Sequence, residues 1–180
     1  LSGHCGAAIG AMAGLDADAI VWFDAHGDYN TPETTDSGFL DGMCLAVATG
    51  RCWTTLAATI PAFTPLDPRR VVHVGARDFS PGEREALVRD GVRIGPSFDG
   101  LEAKRMLIHV DLDVIDARYG RANQYACEGG LSPDEVLSVI GEARTRFEIV
   151  GLVLASYDPS CDDDGRIAEA AVRIVGATAP

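Results

Sequence analysis

The chain has 180 residues, of which 47% are hydrophobic and 23% are charged, and its formal net charge at pH 7 is -12. A chain of this length is expected to form one domain around a single core, and these proportions are those of an ordinary globular protein. The negative charge argues against nucleic acids and anionic membranes as partners, because both select for basic surfaces. The longest apolar runs, such as 149–155, are too short to cross a bilayer.

The use of cysteine favours a reducing compartment. The chain has five cysteines, an odd number, and no CxxC pair. A chain that can form its own core does not need disulfides for stability. We therefore expect a cytoplasmic protein.

Hydrophobic periodicity predicts strands and helices that alternate along the chain. The predicted strands are 19–23, 71–75, 106–111 and 149–155, and the predicted helices are 7–13, 42–49, 81–89, 133–144 and 166–175. Ser80 with Glu83 and Ser132 with Glu135 have the spacing of capping boxes, which predicts helix starts there. The alternation favours a single domain over 1–180, a three-layer α/β/α sandwich with a mostly parallel sheet. Ligands of such sheets bind beyond the carboxyl ends of the strands.

A cluster of polar side chains follows the first predicted strand. The apolar run 20–23 is followed by DAHGD, which places Asp24, His26 and Asp28 in one short turn. The density of carboxylate and imidazole groups at a strand end is typical of a ligand-binding segment.

A second acidic segment follows the predicted strand 106–111. Asp111 and Asp113 come directly after buried positions, and alternation along a strand would point both side chains to the same side. Asp116 follows closely, but it is interpreted as a turn residue. His73 and His109 lie in predicted strands and are expected to be buried, with His109 placed to orient a ligating aspartate.

Together the two acidic segments predict a metal site. Charges that emerge from a dry core are costly unless they are paired or bound to metal, and these segments contain too few basic residues to neutralise them. A ligand set of carboxylates with one imidazole suits Mn²⁺ or a similar ion better than a thiolate-rich zinc site does. Two cations about 3.5–4 Å apart could share bridging aspartates and hold a hydroxide between them.

Four stretches of the chain resemble the arginase, agmatinase and formiminoglutamase (ureohydrolase) family. Residues 21–38, VWFDAHGDYNTPETTDSG, look like the metal loop of arginases, and 109–116, HVDLDVID, are similar to the second metal motif. Residues 128–132, EGGLS, and 75–83, GARDFSPGE, are similar to further family segments. The resemblance spans nearly the whole chain and implies an arginase-like fold. We also expect the N-terminal part of the family domain to be missing, because a family motif begins within the first few residues.

The resemblance implies two Mn²⁺ ions per chain. Carried over position by position, the implied ligands are Cys5, Asp24, His26, Asp28, Asp111 and Asp113. The family has a histidine at the position that aligns with Cys5, and a shift of one residue would make His4 the ligand instead. Cys5 as a ligand would be a thiolate, which nearby cations favour, and as a structural residue it would be a small buried apolar group.

The implied catalytic residues are Asp28 and Asp41. The family has a proton-shuttling histidine at the position of Asp41. A carboxylate can do acid or base work if its pKa suits, so this departure weakens the prediction of fast catalysis without excluding it.

The implied substrate-binding residues are Asn30, Ser37 and Ser156. Asn30 and Ser37 match family positions that contact the carboxylate end of an amino-acid substrate, whereas Phe39 and Ser80 replace polar family residues. Ser156 stands where the family has a glutamate that holds the guanidinium group. A hydroxyl group cannot provide that bidentate charged pairing, so the substrate is open.

We therefore expect a metal-dependent amidinohydrolase of the ureohydrolase type. It would cleave a linear C–N bond of a guanidino or amidino small molecule through a metal-bound hydroxide, and the resemblance leaves a homo-oligomer open. The alternative hypothesis is a catalytically silent arginase-like domain that keeps the metal site for stability or ligand sensing. Asp41 and Ser156 discriminate between the two, because both stand where the family chemistry uses another residue.

Overall fold

The computed structural model describes residues 1–178, and over these residues the protein is built on a five-stranded, all-parallel sheet. The strands are β1 (Ala19–Phe23), β2 (Val71–Val74), β3 (Arg93–Ile94), β4 (Arg105–Asp111) and β5 (Glu148–Ala155). Their order in the sheet is β3-β2-β1-β4-β5. The chain therefore builds one half of the sheet outward from β1 and then returns to build the other half from β4. The switch point lies between β1 and β4, where ligands of open α/β sheets bind.

Helices cover both faces of the sheet. They are α1 (Ala7–Leu15), α2 (Cys44–Ala48), α3 (Thr54–Ala57), α4 (Glu83–Asp90), α5 (Pro133–Arg146) and α6 (Arg166–Thr178). Alternation along β1 sends Ile20 and Trp22 into a core with α1, α2 and α4, and sends Val21 and Phe23 into a core with α5 and α6. The predicted three-layer sandwich with a parallel sheet is confirmed. None of the described helices is long and apolar enough to span a membrane.

The predicted elements differ from the structure where elements are short. The predicted helix 42–49 is a 3-10 turn, Asp41–Met43, followed by α2, and neither β3 nor α3 was predicted. These two elements contain two and four residues, which is too few for a period to be recognised.

The two predicted capping boxes have different outcomes. At α5 the box is present: the Ser132 hydroxyl accepts from the Glu135 N–H, and the Glu135 carboxylate accepts from the Ser132 N–H at 2.7 Å. At α4 the prediction is wrong, because the helix begins at Glu83 after Gly82 and its first turn has no side-chain cap. Only the other half of the box is present: the Glu83 carboxylate accepts from the Ser80 N–H, and it is also engaged by the loop that follows β1.

Gly75 allows the end of β2 to approach the candidate metal segments closely. Its φ is +95°, and an added Cβ would lie 2.4 Å from Val114 Cγ2 and 3.2 Å from the Asp24 carbonyl oxygen. Both the backbone conformation and the space therefore require glycine. Glycine at position 75 therefore lets the end of β2 pack closely against the end of β1 and the turn after β4.

We predict that Gly75→Ala lowers the free energy of unfolding by about 2–4 kcal/mol, because backbone strain and overpacking add. Gly10→Ala is the matched control, since Gly10 lies in α1 with nothing within 4 Å of an added Cβ. The control should gain about 0.5–1 kcal/mol from helix propensity. Urea denaturation followed by circular dichroism measures both changes. Equal stability of Gly75→Ala and the parent would contradict this packing.

Candidate metal centre

The two acidic segments meet at the switch point of the sheet. Asp24 follows β1 directly, and Asp111 ends the neighbouring strand β4, where Phe23 pairs with Val110. His26 bridges the segments, with Nδ1 3.3 Å from Asp24 Oδ1 and 3.4 Å from Asp113 Oδ2. The structure therefore brings together residues that are more than 80 positions apart in the chain.

Asp113 reaches the site by a route that strand alternation did not predict. The strand ends at Asp111, and Asp113 lies in a 3-10 turn, Leu112–Val114. The Asp111 carboxylate accepts a hydrogen bond from the Asp113 N–H at 3.0 Å, which caps this turn. The alternation argument is wrong, because the chain has already left the extended conformation. The turn nevertheless places Asp113 beside His26.

Cys5, rather than His4, lies among these carboxylates. The Cys5 thiol is buried, 3.0 Å from Asp111 Oδ2 and 3.8 Å from Asp24 Oδ2. The His4 side chain is 68% exposed and lies beside Asp41. Burial, followed by the charge of Asp111, raises the pKa of the Cys5 thiol well above its usual value. A cation among these groups would oppose that effect and favour the thiolate.

The centre carries an excess of buried negative charge. Asp24, Asp28, Asp111 and Asp113 are each at most 5% exposed, and none of them pairs with a lysine or arginine among residues 1–178. Burial, followed by neighbouring carboxylates, raises the pKa of Asp24 to about 6 and those of Asp28 and Asp111 well above their usual value. Asp28 Oδ2 has no hydrogen-bond partner in the described chain. Buried carboxylates without counter-charges fit the binding of cations.

His26 is the nearest basic group to these carboxylates. Burial opposes its protonation, but hydrogen bonds with Asp113 and Asp24 outweigh that effect and raise the pKa of His26 to about 12. The same contacts hold the pKa of Asp113 below its usual value despite its burial. A metal binds neutral imidazole, so cation binding would release this proton.

A buried aromatic pair lies beneath Asp24. Trp22 Nε1 donates to Asp24 Oδ2 at 3.2 Å, and the Trp22 ring stacks on His109 with the centroids 3.8 Å apart. Both ring nitrogens of His109 lack a hydrogen-bond partner among the described residues, and burial lowers its pKa to about 3. Donor atoms of Cys5, Asp24 and His109 lie within 4.8 Å of one another. The expectation that His109 orients a ligating aspartate is therefore wrong for the described residues, because its ring makes no hydrogen bond to an aspartate.

Glu83 fixes the loop that carries the candidate ligands. Its Oε1 accepts from the Tyr29 N–H at 2.9 Å and from Asn30 Nδ2 at 3.1 Å, and its Oε2 accepts from the Ser80 N–H at 2.9 Å. A Cβ added at Gly27 would lie 2.5 Å from Glu83 Cδ. The sequence did not predict that Glu83 anchors this loop, because the spacing of Ser80 and Glu83 was already explained by a capping box.

The centre forms the floor of a cleft of about 590 Å³. Residues predicted to act on metal or substrate that line the cleft are Cys5, His26, Asp28, Asn30, Ser37, Asp41, Asp111, Asp113 and Ser156. The Asn30 amide already donates to Ser80 Oγ and Glu83, and Ser37 Oγ accepts from the Phe39 N–H at the exposed rim. Ser156 Oγ lies 3.7 Å from Cys5 Sγ.

The loop after the second acidic segment supplies two further residues that sequence analysis did not identify. Asn123 Nδ2 donates to Asp113 Oδ2 at 3.2 Å and to the Ser156 carbonyl oxygen at 3.0 Å. Tyr125 packs against Phe39, with ring centroids 5.8 Å apart, and forms an aromatic wall of the cleft. Neither residue lies in a recognisable motif, so no signal in the sequence pointed to them.

Asp116 behaves as a turn residue, as interpreted from the sequence. Its carboxylate accepts from the Arg118 N–H at 2.9 Å and from the Gly129 N–H at 3.0 Å. These contacts occupy both oxygens with backbone donors.

Residues 1–179 match the sequence model of the family described as "Arginase family". The chain belongs to the arginase family. It is 35% identical over 167 residues to an N(omega)-hydroxy-L-arginine amidinohydrolase of Streptomyces lavendulae, a match that covers 88% of this chain and 58% of that protein. It is 28% identical to an arginase of Bacillus caldovelox over an alignment of 201 positions, gaps included. This match covers 98% of this chain and 66% of that protein.

The fold of this arginase-family chain is also similar to solved structures. The crystal structure of arginase from Bacillus cereus has a TM-score of 0.85 at 26% identity, covering 98% of this chain and 68% of that one. The predicted family and the predicted arginase-like fold are both confirmed. The chain spans less than two thirds of the length of the two relatives named above.

We predict that Glu83→Gln lowers the free energy of unfolding by about 2–4 kcal/mol, because the glutamine NH₂ must face at least one buried backbone donor. Glu85→Gln is the control, since Glu85 lies on the exposed side of the same helix. Its effect should stay within about 0.5 kcal/mol. Chemical denaturation of both variants without added metal makes the comparison. Equal effects would show that Glu83 does not anchor the loop.

Proposed function

We propose that this arginase-family chain is a ureohydrolase-type amidinohydrolase, which cleaves a linear C–N bond of a guanidino or amidino small molecule. The observation that supports this most directly is the convergence of buried carboxylates, His26 and Cys5 at the switch point, beneath an open cleft. Membership of the family supports the same reaction class.

The donor set fits two divalent cations, which we propose to be Mn²⁺. The residues that would hold them are Cys5, Asp24, His26, Asp28, Asp111 and Asp113. Oxygen donors predominate, as Mn²⁺ prefers, and the unpartnered Asp28 Oδ2 and the uncompensated charge both favour cations. When bound, such ions would supply Lewis-acid chemistry that activates water at neutral pH.

The protein groups around this centre would orient substrate and move protons. Asp41 lines the cleft with 18% of its side chain exposed, so it lies where a proton could pass between the cleft and solvent. Its Oδ1 accepts the Cys5 N–H at 2.8 Å, which also couples its position to that of Cys5. We propose Asp41 and Asp28 as the catalytic carboxylates.

We predict that the parent protein binds two Mn²⁺ ions per chain. Cys5→Ala should lower the affinity for at least one of these ions by at least about tenfold, because even the loss of a residue that only supports a ligand lowers metal affinity that much. Cys5→His should bind both ions at least as tightly as the parent, because imidazole suits Mn²⁺ better than thiolate does. Isothermal titration and elemental analysis measure affinity and stoichiometry.

The control for this comparison is Cys52→Ala, which removes a buried thiol outside the centre. It should leave Mn²⁺ binding unchanged. If Cys5→Ala retains both ions with parental affinity, Cys5 is a structural residue and not a ligand.

For the substrate, we propose a guanidine less basic than arginine, with N-hydroxyguanidines as the first choice. Ser156 offers a hydroxyl group where the family resemblance places a carboxylate, and Phe39 with Tyr125 forms an apolar wall. An electron-withdrawing hydroxyl lowers the basicity of a guanidine, so it suits a pocket with less negative charge. The relative from Streptomyces lavendulae is named for an N-hydroxylated arginine.

We predict that arginine is a poor substrate. Loss of one buried ionic contact costs about 2–5 kcal/mol, which corresponds to roughly 30- to 5,000-fold in rate. The Mn²⁺-loaded protein should be assayed with arginine, agmatine, guanidino acids, formimino compounds and N-hydroxyguanidines, and release of the amine, urea-type product or ammonia should be measured.

Asp113→Ala is the control for metal-dependent turnover. Arginine turning over faster than every other compound would overturn the substrate proposal. If no compound reacts although two ions are bound, the silent metal-binding domain becomes the better hypothesis.

A cytoplasmic location belongs to the same proposal. The five cysteines are all free thiols in the structure, and three of them are buried. This suits a reducing compartment.

A further inference from the structure

A second group of possible metal donors lies beside the candidate metal centre and shares no residue with its proposed ligands. It consists of His4, Asp41 and Cys44, and their donor atoms all lie within 4.8 Å of one another. His4 belongs to the segment before α1, Asp41 begins the 3-10 turn after the metal loop, and Cys44 begins α2. His4 is 37 positions before Asp41 and 40 before Cys44, whereas Asp41 and Cys44 lie on adjoining turns.

Two of the three donor separations match the edges of a metal tetrahedron. His4 Nδ1 lies 3.6 Å from Asp41 Oδ1, and Cys44 Sγ lies 3.3 Å from the same oxygen. For Zn²⁺ with bonds of about 2.0–2.1 Å to nitrogen and oxygen and about 2.3 Å to sulfur, tetrahedral geometry gives donor separations of about 3.3–3.6 Å. The two separations that Asp41 makes therefore suit a tetrahedral cation, and His4 and Cys44 lie within 4.8 Å of one another.

Gly6 provides the space for this arrangement. An added Cβ there would lie 2.7 Å from His4 Cε1, 2.9 Å from His4 Nδ1 and 3.7 Å from Cys44 Sγ. The Gly6 N–H donates to His4 Nδ1 at 3.1 Å, so this nitrogen is unprotonated and has a lone pair. Metal binding at Nδ1 uses the same lone pair and would replace that hydrogen bond.

We propose that His4, Asp41 and Cys44 form a separate site for a borderline cation such as Zn²⁺. One imidazole, one carboxylate and one thiolate are typical zinc ligands, and three protein ligands leave a fourth position for water. The exposed His4 side chain gives this position access to solvent. The oxygen-rich centre suits Mn²⁺, so the two sites would select different metals.

This site goes beyond the proposed hydrolase function. Because Asp41 would be both its ligand and the proposed proton-moving carboxylate, a bound cation would take Asp41 out of proton transfer. The site also has a structural consequence for the centre. Asp41 Oδ1 also accepts the Cys5 N–H at 2.8 Å. A cation held by Asp41 would therefore tie the segment that carries Cys5 to the start of α2. It would also place a positive charge at the edge of the cleft, which Asp41 and Gly42 line.

The test uses Co²⁺ as a spectroscopic substitute for Zn²⁺. The Mn²⁺-saturated protein is titrated with Co²⁺, and the thiolate-to-cobalt charge-transfer absorption and the total bound metal are measured. We expect one additional equivalent of bound Co²⁺ per chain. Its thiolate-to-cobalt absorption should be lost in Cys44→Ser and kept in Cys52→Ser. His4→Ala should weaken this equivalent by at least about tenfold, because even outer-shell partners contribute that much.

His4→Ala is the decisive variant, because His4 is exposed and its replacement leaves every thiol in place. Absorption that arises from cobalt at Cys5 would persist in this variant, so only the fraction that depends on His4 reports the new site. Absence of the additional equivalent in the parent, or its retention with parental affinity in His4→Ala, would overturn the proposal.

The outcome is separable from that of the hydrolase proposal. A His4-dependent equivalent in a protein that turns over no guanidine supports the new site and counts against the hydrolase. Turnover of a guanidine by a protein that binds no such equivalent supports the hydrolase and counts against the new site.

Discussion

The structure depends on a concentration of buried negative charge where two neighbouring parallel strands end. Asp24 and Asp111 lie at the ends of β1 and β4, and Asp28 and Asp113 follow them in adjoining turns. His26, which contacts Asp24 and Asp113, cannot neutralise four carboxylates. Such an arrangement is expensive for folding alone and is explained by cations that would bind there.

The surrounding fold holds these charges in place through backbone contacts rather than through ion pairs. Glu83 accepts two hydrogen bonds from the loop after β1 and one from the Ser80 N–H, and Gly75 lets β2 pack against that loop and the turn after β4. The Trp22 indole N–H donates a hydrogen bond to Asp24, and the Asn123 amide donates one to Asp113. These contacts restrict the conformation of the loop, which favours preorganised binding.

The departures from the family pattern are neighbours in space. Cys5 donates its N–H to Asp41 at 2.8 Å, and its Sγ lies 3.7 Å from Ser156 Oγ. Three changes that looked independent along the sequence therefore alter one side of one centre. A thiol, a carboxylate and a neutral hydroxyl group therefore lie together on one side of the cleft. This grouping favours a change of substrate or metal properties over a general loss of the site.

The sequence by itself determined the parallel α/β architecture, the two acidic segments and the family, because these depend on local periodicity and on contiguous motifs. The tertiary structure decided matters that depend on contacts between distant segments. It placed Cys5 rather than His4 beside Asp111, and it showed that Glu83 anchors the loop after β1 in addition to accepting from the Ser80 N–H. It also showed that Asp113 reaches the centre through a 3-10 turn. A local pattern cannot distinguish these cases, because one residue of shift in a turn redirects a side chain while leaving the sequence motif unchanged.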